Sequence, residues 1–182
     1  MKSLLCLGDS ITEGYEVPSD KRWTDLLSQT LDIPIINAGI SGDTTAGMLA
    51  RCERLLMEHQ PSHMLVIGGT NDLWFGLKDE LIISNLYAMA KQTKYHNAQC
   101  IIGIPTPCFN LNELNFNREN YSECIRSFRT LLKRHCEFKE MDYIDFATNM
   151  TFEHMLDDGV HPNTDGHRLM MQNFVNWTNS QN

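Results

Sequence analysis

The amino-acid sequence predicts an α/β protein: a three-layer α/β/α sandwich around a five-stranded parallel sheet. Three observations carry that expectation. Short apolar runs alternate with longer stretches of helical period along the 182 residues. Each helical stretch shows a single apolar stripe, so it has one face to bury. No internal repeat, low-complexity tract or linker breaks the series, and residues 1–182 are read as one domain.

The elements follow in order. Ser3–Leu7 is the first strand, and Trp23, Leu26, Leu27 and Leu31 form the stripe of the helix after it. Ile33–Ile36 is the second strand, followed by a helix with Leu49, Cys52, Leu55 and Leu56 on its inner face. Met64–Ile67 is the third strand, and Ile82, Leu86, Met89 and Ala90 mark the next helix. Gln99–Ile104 is the fourth strand, with Tyr121, Ile125, Phe128 and Leu132 on the helix beyond it. Asp142–Phe146 is the fifth strand, and a last helix after Pro162 buries Leu169, Met170, Phe174 and Trp177. All these stripes are read as core packing. Strands and helices in strict alternation build a parallel sheet covered on both faces, with flavodoxin-like topology expected. In such sheets a ligand lies beyond the carboxyl ends of the strands, near the switch in strand order. Site residues should therefore fall just after strands.

Composition narrows the function classes. With 42% hydrophobic and 21% charged residues the chain is ordinary globular protein. Fifteen basic against 23 acidic residues leave a net charge of −8, the wrong sign for nucleic acid or an anionic membrane. No apolar run approaches the ~20 residues that cross a bilayer. The apolar stretch Leu4-Leu5-Cys6-Leu7 ends at Gly8-Asp9-Ser10, too early for a signal peptide's core of roughly 7–15 residues. A cytoplasmic location is the default expectation; a secreted chain already trimmed of its leader would read the same. The six cysteines form no C-x-x-C pair, and Cys6 and Cys100 fall in strand-like runs, so reduced and mostly buried thiols are expected.

The chemistry is concentrated at strand ends. The first strand runs into Gly8-Asp9-Ser10, where a serine on a tight turn can present hydroxyl and backbone N–H to one point. Taken alone, this is equally a polar turn capping a helix. The second strand runs into Asn37-Ala38-Gly39-Ile40-Ser41-Gly42-Asp43-Thr44, whose glycines permit close approach of a ligand to backbone N–H groups. The third ends in Gly68-Gly69-Thr70-Asn71-Asp72, and the Asn71 amide can donate to a developing oxyanion. Late in the chain, Asp158-Gly159-Val160-His161-Pro162 lets an acid reach back to one ring nitrogen of a histidine, freeing the other as a base. Pro162 is expected at the first helical position.

Together and in this order, these pieces closely resemble the motif set of the SGNH (GDSL-type) hydrolases, over residue 4 to about residue 170. Gly8-Asp9-Ser10 matches the first block, with Ile11 where leucine is commoner. Gly42 matches the second block, Gly69-Thr70-Asn71-Asp72 the third, and Asp158-x-x-His161-Pro162 the fifth. The resemblance implies Ser10 as nucleophile, His161 as general base and Asp158 as its orienting acid. It further implies an oxyanion hole made by the Ser10 N–H, the Gly42 N–H and the Asn71 side chain. The reaction implied is hydrolysis of carboxylic esters, thioesters or acetylated sugars through an acyl-enzyme, with a small-molecule substrate and neither metal nor cofactor. Many relatives are secreted, and the missing leader departs from them.

Neighbouring residues receive structural readings. Asp9, Asp43 and Asp72 should brace loops, and Asp157 is a poorer partner for His161 than Asp158. His59, His63, His96 and His135 are expected to be solvated. His154 and His167 flank the last loop, and with Asp157, Asp158 and His161 they raise a metal-dependent hydrolase as an alternative. A chelator would reveal it. Gly8–Gly14 lacks the lysine of a phosphate loop. Leu73, Trp74, Phe75 and Phe109, with the Asn-rich segment through Asn117, are expected to wall the substrate pocket. A second alternative is a non-catalytic carbohydrate- or acyl-binding module, in which Ser10 would be inert toward phosphonates. Nothing in the sequence speaks to oligomeric state.

Overall fold

The computed structural model describes residues 1–110 and 112–181. Its centre is a five-stranded, all-parallel sheet: β1 (Leu4–Gly8), β2 (Ile35–Gly39), β3 (His63–Ile67), β4 (Gln99–Ile104) and β5 (Asp142–Asp145). The spatial order is β2-β1-β3-β4-β5, so the chain steps outward from β1 to β2 and then crosses back to β3. That reversal is the switch point, and it lies beside the carboxyl end of β1.

Seven α-helices flank the strands among the described residues: α1 (Ser10–Glu13), α2 (Trp23–Leu31), α3 (Thr45–His59), α4 (Thr70–Trp74), α5 (Asp79–Tyr95), α6 (Tyr121–Phe138) and, after the last strand, α7 (Thr164–Ser180). Because side chains alternate across a strand, β1 divides its residues between two cores. Leu5 and Leu7 join Met48, Cys52, Leu86 and Phe128 from α3, α5 and α6. Leu4 and Cys6 join Trp23, Leu27, Met170 and Phe174 from α2 and α7. The sheet is therefore covered on both faces, as the alternating pattern predicts.

The first, third and fifth strands each shift from the sequence reading by a single residue at one or both ends, and two boundaries differ by more. β2 starts after Pro34 and runs on to Gly39, because Asn37, Ala38 and Gly39 stay in register with Cys6, Leu7 and Gly8. Pro34 lacks an N–H, and its carbonyl accepts instead from Leu4 N–H at 3.0 Å. The last helix starts at Thr164 rather than at Pro162. Asn163 is its cap, the side-chain oxygen accepting from the N–H groups of Asp165 and Gly166, each at 3.0 Å.

The histidines also differ from expectation. His96 and His135 each bury Nε2 without a hydrogen-bond partner, and His63 pairs Nδ1 with the Ser62 hydroxyl at 3.0 Å. His167 is fully buried on α7, where Nδ1 accepts from the Trp23 N–H at 3.1 Å. It thereby serves α2, whose flanking residue Arg22 supplies no side-chain cap. Burial and the nearby Arg22 charge lower its pKa to about 4.

Candidate active site

Ser10 is the first residue of α1, directly beyond the end of β1. Asp9 caps this single turn, its Oδ1 accepting from the Ile11 N–H at 2.9 Å. As the first helical residue, Ser10 keeps its own N–H out of the helix ladder. Its Oγ lies 2.9 Å from His161 Nε2, although 151 residues separate the two in sequence.

His161 is held from its other side. Asp158 Oδ2 lies 2.6 Å from His161 Nδ1, while Asp158 Oδ1 accepts from the backbone N–H groups of Val160 at 2.8 Å and His161 at 2.9 Å. Burial alone would raise the Asp158 pKa, but these bonds to His161 and Val160 more than reverse it and hold the carboxyl below its ordinary value. An ionised carboxylate only accepts, so Nδ1 carries the ring hydrogen and Nε2 turns its lone pair to Ser10. The Tyr15 ring covers the imidazole, with centroids 4.6 Å apart. The turn that permits this depends on Gly159, at φ +67°, where a Cβ would meet the Asn110 nitrogen at 2.8 Å.

The loops after β1, β2 and β3 are lashed together by the three acids expected to brace them. Asp9 Oδ2 accepts from the Thr70 hydroxyl at 2.8 Å; burial pushes its pKa up to about 6 against that bond and the one from Ile11. Asp72 accepts from the Thr45 N–H at 2.9 Å and the Thr45 hydroxyl at 2.6 Å. Asp43 receives Arg51 Nε at 2.9 Å, and Arg51 reaches on to the carbonyls of Ala38 at 2.7 Å and Gly8 at 2.9 Å.

Within this frame Asn71 donates one amide hydrogen to the Asp43 carbonyl at 3.0 Å, which fixes the amide and leaves its second hydrogen unspent. Gly42, at φ +78°, immediately precedes Asp43 in the loop after β2, with open space where a side chain would be. Its left-handed backbone is the one glycine adopts without strain.

A cavity of about 260 Å³ opens over Ser10 and His161. Ile11, Thr70, Asn71, Trp74, Tyr121 and Val160 line it, with Asp158 and Glu113 supplying carboxylates. Of the four residues expected to wall the pocket, only Trp74 does so. Successive helical residues point about 100° apart, so Leu73 turns into the core at 3% exposure and Phe75 turns outward at 48%. The Phe109 ring packs on Phe152 instead, while the Phe109 N–H donates to the Gly159 carbonyl at 2.7 Å. Phe109 thus steadies the Asp158–His161 turn through its backbone.

The segment after β4 does reach the cavity. Phe116 N–H donates to the Trp74 carbonyl at 3.0 Å, and Asn115 Nδ2 to the Leu73 carbonyl at 3.2 Å. Rings then follow one another outward: Tyr121 to Trp74 at 5.2 Å, Trp74 to Phe116 at 6.1 Å, and Phe116 to Phe75 at 5.5 Å. Tyr121 belongs to the core stripe of α6 and also to the cavity lining, its hydroxyl donating to the Thr70 carbonyl at 3.0 Å. His154 pairs Nδ1 with the Thr151 hydroxyl at 2.9 Å, so neither it nor His167 turns toward Asp158. Among the described residues no three His, Cys, Asp or Glu side chains converge as a metal site. No helix among them is long and apolar enough to cross a membrane.

Arg51, Tyr15, Glu113 and Tyr121 escaped the sequence reading as site residues. Arg51 and Tyr121 follow helical period and read there as ordinary helix positions. Glu113 falls in an Asn-rich loop whose path the sequence does not define.

Comparison with known proteins agrees with this geometry. Residues 6–169 match the sequence profile of the GDSL-like lipase/acylhydrolase family. The chain is 34% identical over 169 residues to an arylesterase of Vibrio mimicus, covering 88% of this chain and 80% of that protein. It is 31% identical over 166 residues to thioesterase 1/protease 1/lysophospholipase L1 of Escherichia coli K12, covering 90% of this chain and 76% of that one. Among solved structures it superimposes on the psychrotrophic esterase EstA of a Pseudoalteromonas species, inhibited by monoethylphosphonate, with a TM-score of 0.80 and 26% identity. That match covers 100% of this chain and 98% of that one. The chain belongs to the GDSL-like lipase/acylhydrolase family and is a carboxylic-ester hydrolase of that family.

Proposed function

We propose that the protein cleaves its ester substrates through an acyl-enzyme on Ser10. The observation that carries this reading is the unbroken line Ser10 Oγ–His161 Nε2–His161 Nδ1–Asp158 Oδ2, with contacts of 2.9 and 2.6 Å. Ser10 Oγ attacks the acyl carbonyl as its proton passes to His161 Nε2, and the carbonyl oxygen becomes an oxyanion. The imidazolium formed is stabilised by Asp158. Collapse of the tetrahedral species breaks the bond to the leaving oxygen or sulfur, which takes the proton from Nε2. Water, deprotonated by the same nitrogen, then releases the acid and restores Ser10.

The oxyanion is received by the N–H groups of Ser10 and Gly42 and by the free amide hydrogen of Asn71. Three features support that assignment. The Ser10 N–H is unspent by the helix, Gly42 adopts a left-handed backbone, and Asn71 is anchored beside Ser10 in the cavity wall. Such preorganised donors gain most where charge develops in the transition state.

The outer rings of the series, Phe116 against Trp74 and Phe75, support an apolar acyl group as the substrate portion bound on that side of Ser10. Thioesters present the same carbonyl, and the thioesterase named among the relatives supports including them among the substrates to be tested. Acetylated sugars differ only in the alcohol released. Hydrolysis of p-nitrophenyl acetate by the wild type, absent in Ser10→Ala and unaffected by chelator, supports the proposal. Activity that survives in Ser10→Ala, or that a chelator removes, contradicts it.

A further inference from the structure

We infer that Glu113 makes the pocket selective for esters carrying an alkylammonium group; this rests on the proposed reaction at Ser10. Glu113 shares the cavity wall with Ser10 and His161, and no lysine or arginine lines that wall. The other carboxylate there, Asp158, is committed to His161. Glu113 forms no ion pair among the described residues; its Oε2 accepts a single hydrogen bond from Asn110 Nδ2 at 2.9 Å, which orients the group and leaves Oε1 to a ligand.

The surroundings suit a cation. Trp74 and Tyr121 line the same cavity with rings 5.2 Å apart and edge-on at 74°, and ring faces attract ammonium groups within about 6 Å. A strongly hydrated small cation would gain little from that wall. A methylated ammonium, apolar outside and charged within, gains from both rings and carboxylate. The net charge of −8 adds a weak field that draws cations and repels anionic esters.

A matched pair of thioesters tests the inference. Acetylthiocholine and 3,3-dimethylbutyl thioacetate have the same shape, with carbon replacing the charged nitrogen in the second. At low ionic strength the wild type should favour the cationic member in kcat/KM by about tenfold. Glu113→Gln should bring that ratio close to one, while its side-chain oxygen still accepts from Asn110. A measurement without any variant stands beside it: choline should inhibit wild-type hydrolysis of p-nitrophenyl acetate at concentrations where 3,3-dimethylbutanol does not. A ratio near one in the wild type, an unchanged ratio in Glu113→Gln, or equal inhibition by the two alcohols overturns the inference and leaves hydrolysis at Ser10 standing. Failure to turn over any ester overturns the reading at Ser10, and this inference with it.

Discussion

Arg51 and Asp43 face each other across 2.9 Å at the carboxyl end of the sheet, with side chains only 14% and 13% exposed. From that pair the guanidinium reaches the last carbonyl of β1, on Gly8, and the carbonyl of Ala38 in β2. One side chain on α3 thus ties together the turn that carries Ser10 and the loop that carries Gly42. A planar guanidinium with several fixed donors can hold three acceptors at once, which an ammonium cannot do with the same geometry.

Arg51→Met should therefore loosen the proposed oxyanion loop as well as the fold. Removing one partner of a buried pair typically costs ~3–5 kcal/mol, and the partial exposure here places the loss at the lower end. Thermal unfolding should occur at lower temperature, and kcat on p-nitrophenyl acetate should fall with KM little changed. A variant that loses stability and keeps its kcat would confine Arg51 to the fold.

Asn71→Ala removes one proposed oxyanion donor. We expect kcat to fall by roughly 100–1000-fold, with little change in KM, because the amide acts on charge present mainly in the transition state. Steady-state kinetics on a single p-nitrophenyl ester suffice. An unchanged kcat would take Asn71 out of the hole.

The rings beyond Ser10 should read acyl length. Phe116→Ala should lower kcat/KM for p-nitrophenyl octanoate about tenfold more than for the acetate, since each buried methylene contributes ~0.8 kcal/mol. Phe116 meets Trp74 and Phe75 but is still 68% exposed, so a bound chain would add to its cover. Equal losses on every ester would make the segment a scaffold loop.

Acid should weaken the fold through His167. Its pKa falls from 6.5 to about 4 on folding, so the unfolded chain takes up the proton first. The stabilisation is complete above pH 6.5 and is lost as pH falls through about 4, with a magnitude of up to about 3 kcal/mol. Asp9 acts in the opposite sense: its folded pKa of about 6 lies above the ordinary 3.8, so its contribution falls as pH rises through that range. The clean measurement is the difference between wild type and His167→Asn, whose Oδ1 can still accept from Trp23. Urea denaturation should show that difference growing from pH 4 to 6.5 and flat above. A pH-independent difference would contradict the assignment.

The fold was legible because the strands are short runs set between helical stretches, and the first three end in polar, glycine-containing blocks. β4 begins and ends at Gln99 and Ile104 as expected, and Pro105 directly after it marks where the strand stops. The blocks at Ser10, Gly42, Asn71 and His161 were legible because the sheet brings strand ends together whatever the loops do. The pocket wall was not. Whether Leu73, Trp74 or Phe75 meets substrate depends on the rotation of a single helical turn, and one step of about 100° decides it. Arg51 reads as the solvent face of α3 because the carbonyls it meets lie 13 and 43 residues earlier in the chain. Glu113 became part of the site only when the segment after β4 folded back onto Trp74.

The most direct test of the account is intact-mass analysis after incubation with a fluorophosphonate, comparing wild type with Ser10→Ala. A hydroxyl activated by His161 should give a single phosphonyl adduct, absent from the variant, with p-nitrophenyl acetate hydrolysis lost in step with adduct formation. An unlabelled wild type, or equal labelling of Ser10→Ala, would contradict an activated Ser10 and leave the geometry around His161 without its proposed role.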